Sequence, residues 1–243
     1  MASDNTPLGD RMKTYEHAHR LILPRRTYVL MRLDGRAFHS YLSGCEKPFD
    51  YDFISDMNML ALRLLEEIQG AQFAYTQSDE ISLLITDFDS PQTQPWFGGN
   101  LNKLLSVSAG LASAYFARLR HNWPGLPHFD SRVWVMSDPV EVANYFVWRQ
   151  RDAVRNSIQM VGQSFFTHRQ LHQKSTDAIQ EMLFQEHSVN WNNYPPECKR
   201  GRLTFDNGEC WQTVAAPPFK AEPGNELAQL IPRLPDLWGE EQK

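Results

Sequence analysis

The order of strand and helix patterns in the first 137 residues is the feature that most constrains the fold of this chain. Alternating apolar residues predict four strands, at 28–34, 72–77, 81–86 and 129–136. Apolar residues at helical spacing predict one helix after the first strand and another, at about 100–121, after the third. The order β-α-β-β-α-β predicts an α+β fold of the ferredoxin-like type, an antiparallel sheet with both helices on one face.

Composition and charge exclude several classes of protein. Of the 243 residues, 42% are hydrophobic and 22% are charged, as in ordinary globular proteins. The formal net charge of −5 argues against a protein that coats nucleic acid indiscriminately, although it permits a local basic groove. Three widely spaced cysteines predict neither a zinc site nor a disulfide framework. Together with the lack of a signal-peptide pattern or a long apolar run, this predicts a cytoplasmic protein.

Carboxylates lie where two of the predicted strands meet. The first strand ends at Asp34-Gly35, and the turn between the second and third strands holds Ser78, Asp79 and Glu80. In the predicted sheet the first and third strands are neighbours, so Asp34 and Asp79 should meet at one edge. Two nearby aspartates repel each other unless a cation lies between them, and hard oxygen ligands suit Mg²⁺. We therefore predict a magnesium site here, with the Gly35 carbonyl as a further ligand.

Such a site suits phosphoryl chemistry. Two Mg²⁺ ions held by two aspartates can align an attacking hydroxyl with a triphosphate for in-line displacement. We expect backbone N–H groups of the turn from Gly35 to His39 to contact phosphate oxygens, with charge added by Arg36, His39 or Lys103. Each motif alone also fits an ordinary solvated turn, and Asp130 also fits a strand-entry cap. The predicted convergence of the motifs on one edge favours the functional interpretation.

Four motifs carry a resemblance to a known family. Residues 32–39 (RLDGRAFH), 77–80 (QSDE), 129–133 (FDSRV) and 148–150 (WRQ) resemble the tRNA-His guanylyltransferase family in identity, order and spacing, over about residues 10–214. The resemblance implies a polymerase-type catalytic palm that extends the 5′ end of tRNA in the 3′-to-5′ direction. It further implies that the 5′ end is activated by ATP or GTP, or by a triphosphate already there, and that the 3′-hydroxyl of an incoming nucleotide then attacks it.

The resemblance also implies roles for individual residues. Asp34 and Asp79, with the Gly35 carbonyl, would bind Mg²⁺, and Glu80 would be a neighbouring essential acid. The nucleotide-binding residues implied are Asp34, Gly35, Arg36, Ala37, Phe38, His39, Ser78, Asp79 and, more loosely, Lys103. The substrates would be GTP or ATP and tRNA, and the assembly a homotetramer, a dimer of dimers, with tRNA spanning subunits.

One segment departs from the family pattern. Enzymes that add the extra guanosine to tRNA-His carry His-Ile-Asn-Asn-Leu-Tyr-Asn after the WRQ motif, whereas residues 154–160 here keep only Asn156. The chain thus resembles the guanylyltransferase-like branch, found in bacteria and archaea among others. This implies template-dependent repair of 5′-truncated tRNA in preference to strict tRNA-His addition.

Two basic groups are candidates for contact with RNA phosphates. They are Arg149, Arg151 and Arg155, and then Lys199 and Arg200. Two rival functions remain open at this stage. A nucleotidyl cyclase-like enzyme would use a similar palm and two aspartates on free nucleotide, and a non-catalytic tRNA-binding or chaperone protein would need no carboxylates.

The sequence also suggests how the chain is divided. Residues 1–137 form the predicted palm-like catalytic domain, and residues 138–215 form a helical extension with a small hairpin packed on the palm. The hairpin turn is predicted at Asn207-Gly208. Residues 216–243 are rich in proline, which predicts a tail that is disordered or lies along the surface.

Overall fold

A six-stranded antiparallel sheet organises the protein. The computed structural model describes residues 6–222 and 224–235. The strands are β1 (Tyr28–Gly35), β2 (Ala71–Gln77), β3 (Glu80–Ile85), β4 (Phe129–Met136), β5 (Arg202–Asp206) and β6 (Trp211–Ala215). Their order across the sheet is β4-β1-β3-β2-β5-β6, and each neighbouring pair is antiparallel. The α+β fold is confirmed, and β1 lies beside β3 as the predicted order required.

Helices cover both faces of the sheet. They are α1 (Leu8–His17), α2 (Phe38–Tyr41), α3 (Tyr51–Glu67), α4 (Leu101–Leu119), α5 (Pro139–Phe165), α6 (His168–Leu171), α7 (Thr176–His187), α8 (Pro196–Arg200) and α9 (Glu226–Leu230). Short 3₁₀ turns occupy Trp96–Gly99 and Trp191–Asn193. None of the helices in the described part of the chain is long and apolar enough to cross a membrane.

Helices α3 and α4 pack together on one face of the sheet, as predicted. Asp50 caps α3, accepting a hydrogen bond of 2.7 Å from the Phe53 N–H, and the apolar stripe then repeats at helical spacing. Met57 and Leu64 of that stripe are fully buried against Leu33 and its neighbours on the sheet. Because alternate side chains of each strand fill the core on this face, the remaining side chains point to the opposite face.

The opposite face carries α5 and the segment after Ala215. Helix α5 is one continuous helix of 27 residues. Ala216 and Leu227, from the predicted tail, are fully buried in the same cluster as Leu30 on β1. The expectation of a surface or disordered tail is therefore wrong for this packed part, because its apolar side chains complete the second core. Residues 223 and 236–243 of the predicted tail lie outside the described residues.

The late hairpin joins the main sheet. Strand β5 pairs with β2 from Thr76↔Arg202 to Phe73↔Phe205, and β6 then forms the outer edge. The sequence predicted the hairpin but not this pairing. Since β5 belongs to the proposed extension and β2 to the proposed palm, the two share one sheet, and the division into domains stays a prediction.

Candidate active site

Carboxylates converge at the edge of the sheet where β1 ends. The register places Asp34 opposite Glu80 on β3 and opposite Asp130 on β4. Directly opposed residues of an antiparallel pair point to the same face, so all three side chains lie on the α5 side. The Gly35 N–H donates a hydrogen bond of 3.1 Å to the Asp79 carbonyl, which ties the end of β1 to the β2–β3 turn. The structure therefore brings Asp34 and Asp79 together.

The loop after Asp34 is anchored by its phenylalanine. Phe38 is buried among the aromatic rings of Phe116 and Phe129, so only its backbone is available to a ligand. A Cβ at Gly35 would lie 2.5 Å from the Phe38 ring, which explains why glycine is needed at this close approach. Ala37, at φ 56, turns the chain into α2.

Hydrogen bonds restrict where this loop can bind phosphate. The Gly35 N–H is bonded to the Asp79 carbonyl, and the Arg36 N–H donates a bond of 2.8 Å to the His128 carbonyl. A phosphate cradle can therefore use only the N–H groups of residues 37–39, not the whole turn that the sequence suggested. The exposed side chains of Arg36 and His39 lie beside these N–H groups, where they can add charge.

Glu80 differs from Asp34 because one arginine binds both oxygens of its carboxylate. Arg149 donates from Nε to Oε1 at 2.7 Å and from Nη2 to Oε2 at 2.6 Å, and both side chains are buried. Arg149 also bonds Asp152 at 2.9 Å, and its guanidinium lies 4.5 Å from the centre of the Trp148 ring. The Nε of Arg32 lies 3.9 Å from the same carboxylate. The bidentate pair gives Glu80 a positioning role and leaves Asp34 and Asp79 as the carboxylates free for a cation.

Burial and neighbouring carboxylates disfavour the charged forms of Asp34 and Asp79. Burial, and then the charge of Asp34, raises the pKa of Asp79 to about 6. Burial, followed by the charges of Glu80 and Asp130, raises the pKa of Asp34 as well. No side chain in the described ranges forms an ion pair with either carboxylate within 4.0 Å. A divalent cation would relieve this repulsion.

The donor set fits magnesium only if substrate and water complete it. In the part of the chain that the structure describes, no cluster of three or more His, Cys, Asp or Glu side chains could hold a metal ion. Asp34, Asp79 and the Gly35 carbonyl supply two carboxylates and one carbonyl oxygen at one edge. Mg²⁺ commonly binds through one or two carboxylates, with phosphates and waters as the other ligands. The residues present fit that mode.

The raised pKa of Asp79 predicts how stability depends on pH without metal. The folded protein holds the Asp79 proton up to about pH 6, whereas an unfolded chain releases it near 3.8. Because the folded state binds more protons in that window, the free energy of unfolding should fall as the pH rises from 3.8 through 6. Denaturant titrations in EDTA measure this, with Asp79→Asn as the comparison. Parallel pH profiles for wild type and variant would contradict the assignment.

Lys103 does not lie at this site within one chain. Strand β3 starts at the carboxylate edge and runs away from it, so α4 begins at the opposite edge. Leu104, next along α4, lines a pocket with Val29 and Ile85, at the far ends of β1 and β3. The five residue steps from Val29 to Asp34 span about 17 Å at about 3.3 Å per residue. The prediction that Lys103 contacts the same nucleotide is therefore wrong for a single subunit.

The candidate RNA-binding residues divide into two groups. Arg149 is buried against Glu80, and the buried Lys199 donates to the Asn192 carbonyl at 2.6 Å, so neither presents its charge to RNA. Arg151 is exposed, Arg155 is exposed and paired with Asp152, and Arg200 is half-buried. Contact with RNA stays a prediction for Arg151, Arg155 and Arg200.

The sheet with helices α3 and α4 on one face, and paired aspartates at the edge of the other, is the arrangement of palm-type nucleotidyltransferases. Comparison with known sequences agrees: residues 9–137 match the family described as Thg1, tRNAHis guanylyltransferase. The chain belongs to this family and is a nucleotidyltransferase.

Solved structures and curated relatives support the same family. A bacterial tRNA(HIS) guanylyltransferase (Thg1)-like protein in complex with ATP is 42% identical, with a TM-score of 0.87, and the match covers 93% of this chain and 99% of that one. A second such complex, with GTP, is 40% identical at a TM-score of 0.73, covering 87% and 92%. The probable tRNA(His) guanylyltransferase of Drosophila melanogaster is 28% identical over 199 residues, covering 75% of this chain and 68% of the relative.

Proposed function

We propose that this enzyme extends the 5′ end of tRNA in the 3′-to-5′ direction, in a reaction that depends on Mg²⁺ and uses GTP or ATP. The observation that carries the proposal is the meeting of Asp34 and Asp79, two carboxylates that form no ion pair within the described residues, at one edge of a palm-type sheet. Similar bacterial structures have been solved with ATP and with GTP, which supports a nucleoside triphosphate as a substrate.

Different residues at this edge would bind the metal, bind phosphate and keep the site rigid. Bound Mg²⁺ would neutralise triphosphate oxygens and favour ionisation of the attacking hydroxyl. Asp34, Asp79 and the Gly35 carbonyl would hold the metal, and the N–H groups of residues 37–39 would bind phosphate oxygens. The 3′-hydroxyl oxygen of the incoming nucleotide would lose its proton to solvent and attack the activated 5′ phosphorus, whose bond to the leaving group (a nucleoside monophosphate, or pyrophosphate from a 5′ triphosphate) breaks. The Glu80–Arg149 pair would keep the face beside Asp34 rigid.

We further propose repair of truncated tRNA in preference to a single untemplated guanosine. The segment 154–160, which departs from the pattern of tRNA-His enzymes, lies on α5. Asn156, Ser157 and Met160 of this segment line a pocket that also contains Ser78 of the β2–β3 turn. The altered residues are therefore close enough to the proposed site to change which nucleotide or end is accepted.

The test is incorporation of labelled nucleotide into 5′-truncated, 5′-activated tRNAs whose opposing template bases differ. We expect the nucleotide added to follow the template base. Addition of guanosine regardless of template would contradict the repair proposal but would leave the assignment as a nucleotidyltransferase intact. Turnover of nucleotide without RNA would favour a cyclase-like enzyme, and RNA binding without incorporation would favour a non-catalytic tRNA-binding protein.

We also propose a homotetramer, a dimer of dimers, in the cytoplasm. Helix α1 buries none of its residues, and Leu8, Met12 and Tyr15 on it are 65%, 47% and 71% exposed. An apolar face of this kind is commonly covered by another chain. The cysteines Cys45, Cys198 and Cys210 are all free, which supports a reducing compartment.

The exposed face of α1 makes the assembly testable. The double substitution Met12→Glu and Tyr15→Glu should lower the oligomeric state, because two charges would be buried in the interface. Light scattering after size-exclusion chromatography measures the molar mass. Lys13→Glu, on the same helix and paired with the exposed Asp10, is the matched control. A wild-type monomer would contradict the tetramer.

A further inference from the structure

The chain between α4 and β4 lies across the loop that follows β1. We call residues 120–128 the crossing segment. At its end, the carbonyl of His128 accepts the Arg36 N–H at 2.8 Å. At its start, the indole Nε1 of Trp123 donates a hydrogen bond of 2.8 Å to the Tyr41 carbonyl. The crossing segment therefore holds the loop on both sides of the three residues whose N–H groups are the proposed phosphate donors.

The side chain of Trp123 packs on the same loop. Its ring centre lies 6.3 Å from that of Tyr41. A Cβ at Gly44 would lie 3.4 Å from the indole, so the ring also packs against the backbone there. Tyr41 in turn lies 5.1 Å, centre to centre, from Phe38, the buried aromatic anchor of the loop. Trp123 thus restricts the loop both by a hydrogen bond and by packing.

Arg120 holds the Trp123 ring in place. Its guanidinium lies 4.7 Å from the centre of that ring, within the range of a cation–π contact. The Nε of Arg120 donates to Asp56 on α3 at 2.6 Å, and Nη2 lies 3.7 Å from Asp50, which caps the same helix. Arg120 is 9% exposed, so these contacts are poorly screened by water. Trp123 is thereby tied to both core helices, α3 and α4.

The loop depends on these outside contacts for its order. Helix α2 is a single turn, Phe38–Tyr41, that begins after Ala37 in the left-handed conformation. A helical turn of this length is unstable alone, because its nucleation fixes several residues for one hydrogen bond. Backbone donors add most to binding when they are already held in the productive geometry before the ligand arrives. The crossing segment, together with the buried Phe38, supplies that order.

We propose that Trp123, held by Arg120, is a positioning residue for the triphosphate, because it fixes the Tyr41 carbonyl and with it the N–H groups that bind phosphate oxygens. The inference rests on the proposed function, which places phosphate at this loop. Trp123 acts through the backbone of the loop and not by touching the nucleotide. Loss of its N–H should therefore weaken the binding of the phosphates and leave the binding of the nucleoside unchanged.

Competition against a fluorescent GTP analogue in Mg²⁺ tests the inference without RNA or turnover. The competitors are GTP and guanosine, titrated to millimolar concentration, and the ratio of their dissociation constants measures what the triphosphate contributes. Trp123→Phe keeps an aromatic ring but removes the donor, and it should lower this ratio about tenfold by weakening GTP alone. Arg120→Lys keeps the charge beside Asp56 but loses the flat guanidinium, and it should lower the ratio less.

Trp191→Phe is the matched control. Trp191 is also half-buried, its Nε1 donates to Oγ of Ser157 at 3.1 Å, and Nζ of Lys199 lies 5.1 Å from its ring centre. The control therefore removes the same kinds of contact far along the chain from the loop, and it should leave the ratio unchanged. Combining Trp123→Phe with Arg120→Lys should lower the ratio no further than Trp123→Phe alone, because both residues act through one hydrogen bond.

The outcomes separate a positioning role from a structural one. An unchanged ratio in folded Trp123→Phe would overturn the inference, as would an equal fall in Trp191→Phe, which would indicate general loosening of the protein. If Trp123→Phe does not fold, an unchanged ratio in Arg120→Lys would overturn the inference in the same way. A tenfold fall confined to the Trp123 and Arg120 variants, in a protein that adds no nucleotide to tRNA, would refute the proposed function alone.

Discussion

Replacing Asp79 with alanine should reduce nucleotide addition to 5′-activated tRNA by about a thousandfold or more, since metal stabilisation of the phosphoryl transition state supplies several kcal/mol. Asp79 lies on the two-residue turn that faces the end of β1, and its carboxylate is partly removed from water next to Asp34. Alanine there leaves Asp34 without its partner, so a shared cation would lose a bridging ligand. Single-turnover incorporation at saturating tRNA measures the effect on the chemical step.

The same substitution should not harm folding. It removes one of two repelling charges, so the metal-free variant should unfold at or above the wild-type temperature near pH 7. Asp89→Ala, at an exposed loop position after β3, is the matched control and should keep full activity. Magnesium with GTP should raise the thermal midpoint of wild type but not of Asp79→Ala. Equal incorporation by wild type and Asp79→Ala would show that Asp79 is not part of the catalytic site.

Local patterns in the sequence were sufficient to predict the part of the fold that builds this edge. Strand β4 occupies the predicted residues 129–136, because its apolar alternation and the flanking turns are local signals. The neighbouring positions of β1 and β3 followed from the order of elements, since few antiparallel topologies accommodate β-α-β-β-α-β. The meeting of Asp34 and Asp79 was therefore predictable from topology alone.

Other features depend on contacts between distant residues and gave no local signal. The WRQ motif is visible in the sequence, but a single sequence does not show that its arginine binds Glu80, 69 residues earlier. The pairing of β5 with β2 and the burial of Leu227 likewise depend on which apolar faces remain uncovered. The distance of Lys103 from the carboxylates follows from topology, because β3 leads away from them and the next helix starts at the far end of the strand.

Replacing Arg149 with methionine should lower the free energy of unfolding by about 3–5 kcal/mol, because it leaves Glu80 buried without its ionic partner. For a protein of this size we expect the thermal midpoint to fall by roughly 10 °C, at about 2–4 °C per kcal/mol. Arg32, whose Nε is buried without a hydrogen bond 3.9 Å from Glu80, sets the lower end of this range, since it can approach the vacated carboxylate. Thermal and denaturant unfolding measure both quantities.

A double-mutant cycle separates the contribution of the Glu80–Arg149 pair to stability from its contribution to activity. Glu80→Gln combined with Arg149→Met should be more stable than Arg149→Met alone, because the buried carboxylate that has lost its arginine is neutralised. If the pair only stabilised the fold, this double variant would recover activity along with stability. We expect it to remain impaired by about tenfold to hundredfold, as for the loss of residues that orient metal ligands. Glu80 is opposite Asp34 in the ladder. When Arg149 fixes the Glu80 carboxylate, it therefore also fixes the part of the sheet from which the Asp34 side chain projects. Recovery of full activity in the double variant would show that Glu80 and Arg149 serve stability alone.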